Sequence, residues 1–532
     1  MVGELFAKIK LPLHGIINRI SQNAWTLLIL VAVSFGMLWL GDKLDARGMV
    51  LTRFMARAQA PLTAQFNYPD TSRNQITVVM YDQEFLQSSA SAWPISYQDH
   101  ADALLRLVAD PGARPKAIML DITFGQERDD PTLAALKKTL CTIQNDYKVP
   151  IFLAALPSAK EGRLAIRAGL GPDHSGAGPA CFTLVGVDYV PDPLDGLAWS
   201  YQLSRHLTST GWQPGTPDSP QHQQPTYRSA AMTIAQDVAR IDLGEETTPM
   251  ALMWGHNSAH QTDRPESLQH CRPGMPDLWQ LIPGVLRQIW EPASLSPLCP
   301  YHQTLSMAQL GVMSEGELAP YLGGRYIMVG AHVPGYNDFA DSPVQGIVPG
   351  VYMHAMALDN LLTYKGDYKL NAEWTLPPSL PLLAPGLLTI TVVFVVHLFW
   401  IFCQTKLRFL IVAREGLAAR INWYLHCPLP ATRTQRVVQS GGTALGWLAR
   451  ISIQTVAVML LIGLLQNHFR VGMLPVVELV SMTLLAEGLG YMKKIKFILF
   501  GDKEQSEKIC NRLSQSTLSH KKGTHEIQPD SA

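Results

Sequence analysis

Charge is what this chain has least of: 43 basic and 43 acidic residues make up 16% of its 532 residues, and they cancel. An average soluble domain carries about 25%. No nucleic-acid partner is expected. The short motifs of common catalysts are missing too. There is no P-loop, no GxSxG elbow, no HExxH pair and no nucleophile set beside a base. The expectation is a protein that is not an enzyme and holds no cofactor. No internal repeat occurs, and low complexity is confined to the polar stretch after residue 501. Cysteine is sparse, with 7 in all.

The shortage of charge is local. Residues 24–41, AWTLLILVAVSFGMLWLG, contain none. As a helix they extend about 27 Å, close to the thickness of a bilayer core. Trp25 and Trp39 stand near the two ends, where indoles favour the membrane interface. Further apolar runs place transmembrane helices at 379–403, 450–466 and 472–492. Lys8, Lys10 and Arg19 precede the first run; Lys406, Arg408, Arg414, Arg420, Arg433 and Arg436 crowd residues 404–449 against the single acid Glu415; Lys493, Lys494 and Lys496 follow the last. Lysine and arginine beside spans mark the cytoplasmic side. Residues 1–23, the basic loop 404–449 and a disordered tail, 493–532, therefore belong inside. Residues 42–378 are exported, and Asn467 to Val471 form a short outer turn. A cleaved signal peptide is the rival reading of the first run, but its candidate motif, Ala58-Gln59-Ala60, lies well beyond the apolar stretch, so an uncleaved anchor is expected.

His397 falls in the second span, and Glu478 and Glu487 in the fourth, where ionisable groups are costly and usually face a partner. Nine residues separate the two glutamates, about 13 Å along a helix axis and on opposite sides, so they do not share a proton. Bonding between helices is the modest role for them, a conduction path the sharper one. Residues 406–426, KLRFLIVAREGLAARINWYLH, form an amphipathic pattern with Leu410, Leu417, Ile421 and Tyr424 on one side. Basic charge on the other side suits the lipid of the anionic inner leaflet, as a lever or as a plain connecting helix.

Cysteine use matches this layout. Cys141, Cys181, Cys271 and Cys299 fall in the exported part, an even number in an oxidising compartment, whereas Cys403, Cys427 and Cys510 lie in or inside the membrane. Four cysteines permit three pairings. Cys141 with Cys181 and Cys271 with Cys299 is the reading adopted here, with free buried thiols as the alternative.

The exported part reads as α/β. ITVVMYD (76–82), KAIMLDITF (116–124) and IFLAAL (151–156) are strands apolar on both faces, and helices 99–110 and 131–140 alternate with them. That pattern belongs to a mainly parallel central sheet covered by helices. Later come strand candidates at 182–190, 197–203 and 250–254 and a helix at 229–240, separated by polar loops at 157–180, 209–227 and 255–280. RYIMVGA (325–331) is again a strand buried on two faces. The loop after it thus leaves the carboxyl edge of the sheet, where ligands tend to sit.

That loop begins VGAHVPGYNDFADSPVQGIVPGVYMHAMALDNLL, and it closely resembles the C-terminal signature of the CHASE type-2 sensory domains, extracytoplasmic modules associated with nucleotide cyclases and histidine kinases. Asp82, Trp93-Pro94, His100-Ala101 and Asp121-Ile122-Thr123-Phe124 are similar to the family's upstream motifs, and DPLDG (192–196) to its aspartate-rich turn. The resemblance covers most of residues 45–365. It implies an extracytoplasmic sensory domain with one span before it and three after. The chain departs from the pattern twice: Tyr97 replaces an arginine three residues before His100, and Tyr352 replaces a glutamate two residues before His354.

Asp82, Trp93, His100, Asp121, Asp338 and His354 are the candidate ligand-binding residues. Asp82 and Asp121 end consecutive strands and could meet at the carboxyl edge, with Asp338 and His354 nearby. Two such carboxylates raise one another's pKa or hold a hard cation, although aspartates ending strands also cap helices. His256, His260, His270 and Cys271 form the sole metal-like cluster, at a spacing that fits no standard zinc pattern, so no metal site is expected.

About 40 residues follow the last span, too few to fold as a cyclase, kinase or phosphodiesterase. The expectation is a multi-pass sensory subunit of the bacterial cytoplasmic (inner) membrane. It would bind a small molecule or protein in the periplasm and signal to a cytoplasmic or membrane effector protein supplied in trans, as a monomer or a homodimer. A docking component of an envelope or secretion complex is the alternative. An exported metal-dependent hydrolase is the third reading.

Overall fold

The computed structural model describes residues 68–370 apart from 159–162, 172–180, 193–195, 207–225, 245–247, 257, 259–263, 272–297 and 337, together with residues 60, 64, 466, 470 and 472. Except for Gln466 and Gly472, the four expected spans lie outside the described residues, as do His397, Glu478, Glu487, His260, the basic loop and the tail. Among the described residues no helix is long and apolar enough to cross a membrane. One compact unit, Met49–Ala384 with Ile462–Pro475, holds every described residue.

Its centre is a six-stranded sheet. In chain order the elements are β1 (Ile76–Asp82), α1 (Gln83–Ser88), α2 (Tyr97–Ala109), β2 (Ala117–Leu120), α3 (Leu133–Asn145), β3 (Ile151–Ala155), β4 (Thr183–Gly186), α4 (Ala230–Asp237), β5 (Gln303–Ser306), α5 (Glu315–Leu322) and β6 (Tyr326–His332). A hairpin of β7 (Phe339–Ser342) and β8 (Gly346–Pro349) then leads into α6 (Gly350–Tyr364). The sheet order is β5-β1-β6-β2-β3-β4, and all five pairings are parallel.

Parallel strands need both faces covered, and β1, β2 and β3 are buried along their whole length. Side chains alternate between two cores. Ile76, Val78 and Met80 join Ala117 and Met119 beneath α4 and α6; Val79, Tyr81, Ile118 and Leu120 join the face covered by α2, α3 and α5. On the first face β6 and α6 approach closely at Gly330, where a Cβ would stand 2.5 Å from Val351 Cγ1. The expected helix at 131–140 extends to Asn145, while the strand expected at 182–190 stops at Gly186. The 197–203 and 250–254 candidates shrink to Ser200–Tyr201 paired antiparallel with Met250–Ala251.

Two disulfides join Cys141 to Cys181 and Cys271 to Cys299, with Cα separations of 4.3 and 4.8 Å. These are the adopted pairings. The first ties α3 to the approach to β4; closing loops of this size stabilises a fold by about 4 kcal/mol each.

A buried polar network anchors the far half of α6. Asp359 accepts from the Tyr68 hydroxyl and lies 3.1 Å from His302 Nε2; Asn360 donates to the carbonyls of Met253 and Met356 and accepts from the Met253 amide. Both side chains are fully buried, so each polar atom needs such a partner. Just beyond α6, the Leu370 amide donates to Arg470 O and the Gly472 amide donates to Leu370 O. Lys369 donates to the Gln466 carbonyl, and the Arg470 guanidinium lies 4.8 Å over the Tyr368 ring.

Candidate functional site

Asp121 follows β2 by one residue, and strand alternation turns it toward the same face as Met119, the face of α6. Its amide donates to Val329 O on β6 at 2.7 Å. Its carboxylate is 5% exposed, and Oδ2 has no hydrogen-bond partner. Burial pushes this carboxyl up to about 7. An ordinary native fold leaves few buried polar atoms unsatisfied, so this one needs a reason.

His354 stands one turn into α6. Its Nδ1 is 2.8 Å from the Tyr201 hydroxyl, which is itself approached by the Ala231 amide at 3.5 Å. The phenol thus holds Nδ1 and fixes the orientation of the ring, with Nε2 turned toward Asp121. Nε2 is 3.8 Å from Asp121 Oδ1, beyond hydrogen-bond length. Burial lowers His354 to about 4, so the ring is neutral near pH 7.

Asp338 comes from the loop after β6, where its carbonyl accepts from the Gly350 amide at 2.9 Å. A Cβ at Gly350 would fall 2.6 Å from Asp338 Oδ1, so a glycine at the start of α6 lets this carboxylate lie against the helix. Burial first, and the Asp121 charge second, push Asp338 up to about 6. Asp121, Asp338 and His354 line one pocket of about 260 Å³ at the carboxyl edge of the sheet. Tyr189, Tyr336 and Phe339 supply aromatic walls.

The other three candidates lie elsewhere. Asp82 caps α1: its Oδ1 accepts from the Phe85 amide at 3.0 Å and from Ser306 Oγ at 2.7 Å. Because β6 separates β1 from β2, Asp82 and Asp121 end strands two spacings apart, about 9.5 Å, and do not form a carboxylate pair. His100 packs in the opposite core with its Nδ1 3.3 Å from the Tyr81 hydroxyl; burial lowers it to about 3. Trp93 meets Tyr336 edge-on at 5.1 Å and so backs the pocket wall without lining it.

The two departures from the family pattern are each accommodated without forming a pair. The Tyr97 ring lies beneath Arg128 at 3.9 Å and its hydroxyl accepts from Arg167, on the α2 face. Tyr352 is bonded to Thr304 Oγ1 at 2.9 Å on the α6 face. Of the metal-like cluster, His256 is buried, His270 is exposed and His260 lies outside the described residues. Among the described residues no group of three or more His, Cys, Asp or Glu side chains could hold a metal ion.

Sequence reasoning missed Tyr201, which sits in a recognised strand candidate but 153 positions from the histidine it orients. Tyr336 was legible only as part of the signature loop.

Neither a curated protein nor a solved structure matches the chain. The family model described as the CHASE2 domain matches residues 26–398, well over half of the chain. Families of this type are extracytoplasmic sensory modules. The chain belongs to the CHASE2 domain family.

Proposed function

We propose that this protein is a membrane-anchored sensory subunit whose exported domain binds a ligand between Asp121, Asp338 and His354 and passes the event through its spans to a separate effector. The observation that carries the reading is the Asp121 carboxylate, buried, partnerless on one oxygen and lining a pocket at the edge where α/β sheets bind ligands. The membrane anchorage is supported by the four apolar runs and their basic flanks, and by a family match that starts within the first run and ends within the second.

The route outward is supported by connectivity. His354 and Gly350, which shape the pocket, are on α6; α6 leads to Tyr368–Leu370, and that segment precedes the second apolar run. The same segment is hydrogen-bonded to Gln466, Arg470 and Gly472, which are the last residue of the third run, a residue of the turn after it and the first residue of the fourth. A ligand that shifts α6 thus pulls on the connections to three spans. Binding can bias such an arrangement only as far as it favours one state over the other.

The test uses the full chain in lipid nanodiscs. A screen of periplasmic metabolites should yield compounds that raise its Tm and that slow amide exchange in Tyr368–Leu370, with both effects lost in Asp121→Ala. Compounds that stabilise the variant as well as the wild type would remove the pocket from the mechanism.

The docking alternative has one observation in its favour. Phe339 and Ile347, on the two strands of the hairpin, are 44% and 69% exposed, an apolar surface that a protein partner would cover. On that reading, changes to Phe339 and Ile347 disrupt assembly and changes to Asp121 do not.

A further inference from the structure

Two carboxylates line the pocket, and no lysine or arginine does. The nearest basic group facing them is the His354 ring, held neutral with its Nδ1 turned to Tyr201. Asp121 is 95% buried by its 5% exposure, and Oδ2 has no partner of its own. A buried carboxylate left in this state is destabilising unless a cation or a donor arrives. An anionic ligand would be repelled, and a neutral donor would satisfy one oxygen without balancing the charge of two carboxylates.

The remaining lining narrows the cation. Rings of Tyr189, Tyr336 and Phe339 face the same space as the two carboxylates, and aromatic faces attract ammonium groups while doing little for a fully hydrated metal ion. Among the described residues no side-chain group is arranged to hold a metal. A space of about 260 Å³ admits a molecule of only a few heavy atoms.

We infer that the pocket binds a small organic ammonium ion, its nitrogen against Asp121 and Asp338 and its alkyl part against Tyr189, Tyr336 and Phe339. This rests on reading the pocket as the sensory one. The alkylammonium displaces no protein group, and its N–H donors supply the partner that Asp121 Oδ2 lacks.

The test is calorimetric titration of the full chain in nanodiscs with methylammonium, n-butylammonium, putrescine and choline chlorides, against 1-butanol and magnesium chloride. Saturable binding of at least one amine is expected, with at least a tenfold loss in both Asp121→Asn and Asp338→Asn and none in Asp82→Asn. The groups surrounding Asp121 are Asp338 and Tyr336 from the loop after β6, His354 from α6, and Tyr201 behind it. With Asp121 at about 7, the amine Kd should tighten about tenfold between pH 6 and pH 8 as its carboxyl ionises.

Binding of 1-butanol as tight as n-butylammonium, or binding of magnesium in place of the amines, overturns the inference; if either is lost in Asp121→Asn, the pocket survives as the sensory site. Amine binding that persists in both pocket variants overturns the inference and the pocket together. No saturable binding of any of the four amines also overturns the inference.

Discussion

Asp82 and Asp121 look alike in the sequence and differ in the folded protein. Each closes an apolar strand of the same parallel sheet, at the same edge and toward the same side. Asp82 meets the amide of the helix that follows it and a hydroxyl from β5. Asp121 is followed by an irregular stretch, so no helix amide turns back to it; Oδ2 lacks a partner in both carboxylates, but that of Asp121 belongs to a residue lining a pocket. One carboxylate caps a helix and the other lines a pocket. What separates them is the element that follows the strand.

This contrast can be broken most severely from the strand between them. Gly330→Ala places a methyl 2.5 Å from Val351 Cγ1 and forces α6 off β6. It should lower stability by about 3 kcal/mol, the upper end of overpacking effects, and weaken ligand binding as well; denaturant titration of the full chain reads the first.

Next in size is a gain. In the absence of ligand at pH 8, Asp121→Asn should raise stability by about 2 kcal/mol, because it removes a charge whose burial is unfavourable. The sign follows from the direction of the shift. The Asp121 carboxyl is raised by burial, so its favourable contribution is complete below the ordinary carboxylate range and is lost as pH rises through about 7. Asparagine imitates the neutral acid, so wild type and variant should converge only below about pH 4. His354, lowered to about 4 by burial, acts oppositely: its contribution is present above 6.5 and is lost as pH falls through 4. The two trends offset each other across pH 4–7. Wild-type Tm should be nearly flat there, whereas that of Asp121→Asn should climb with pH. A variant whose Tm falls at pH 8 would end the distinction between the two aspartates.

Asp82→Ala should lose about 1–2 kcal/mol, through the lost cap and the stranded Ser306 hydroxyl, with ligand-linked stabilisation intact. The smallest effect is expected from Tyr201→Phe. Removing the phenol that holds Nδ1 should lower stability by about 1 kcal/mol and mix the two imidazole tautomers, which ¹⁵N shifts of His354 report.

Much of the central sheet was readable because its strands are buried on both faces, which leaves uninterrupted apolar runs such as ITVVMYD and RYIMVGA. Strand β5 was missed for the converse reason: QTLS at a sheet edge has no such run. The meeting of Asp121 with Asp338 and His354 followed from strand ends and the signature. The exclusion of Asp82 did not, because nothing local tells that β6, more than 240 positions downstream of β1, inserts between β1 and β2. The hairpin β7–β8 lies in a stretch whose glycines and prolines read only as turn. Tyr201 was hidden by distance along the chain.

The contacts of Tyr368, Lys369 and Leu370 with Gln466, Arg470 and Gly472 make the folded module discontinuous. Excising it at about residue 375 would strip the Leu370 main chain of both partners and leave the buried Lys369 ammonium, whose pKa burial lowers, without the Gln466 carbonyl. Such an excised ectodomain would be a wounded version of the native one, with a raw edge open to self-association. Splicing residues 466–472 back through a short linker should heal it.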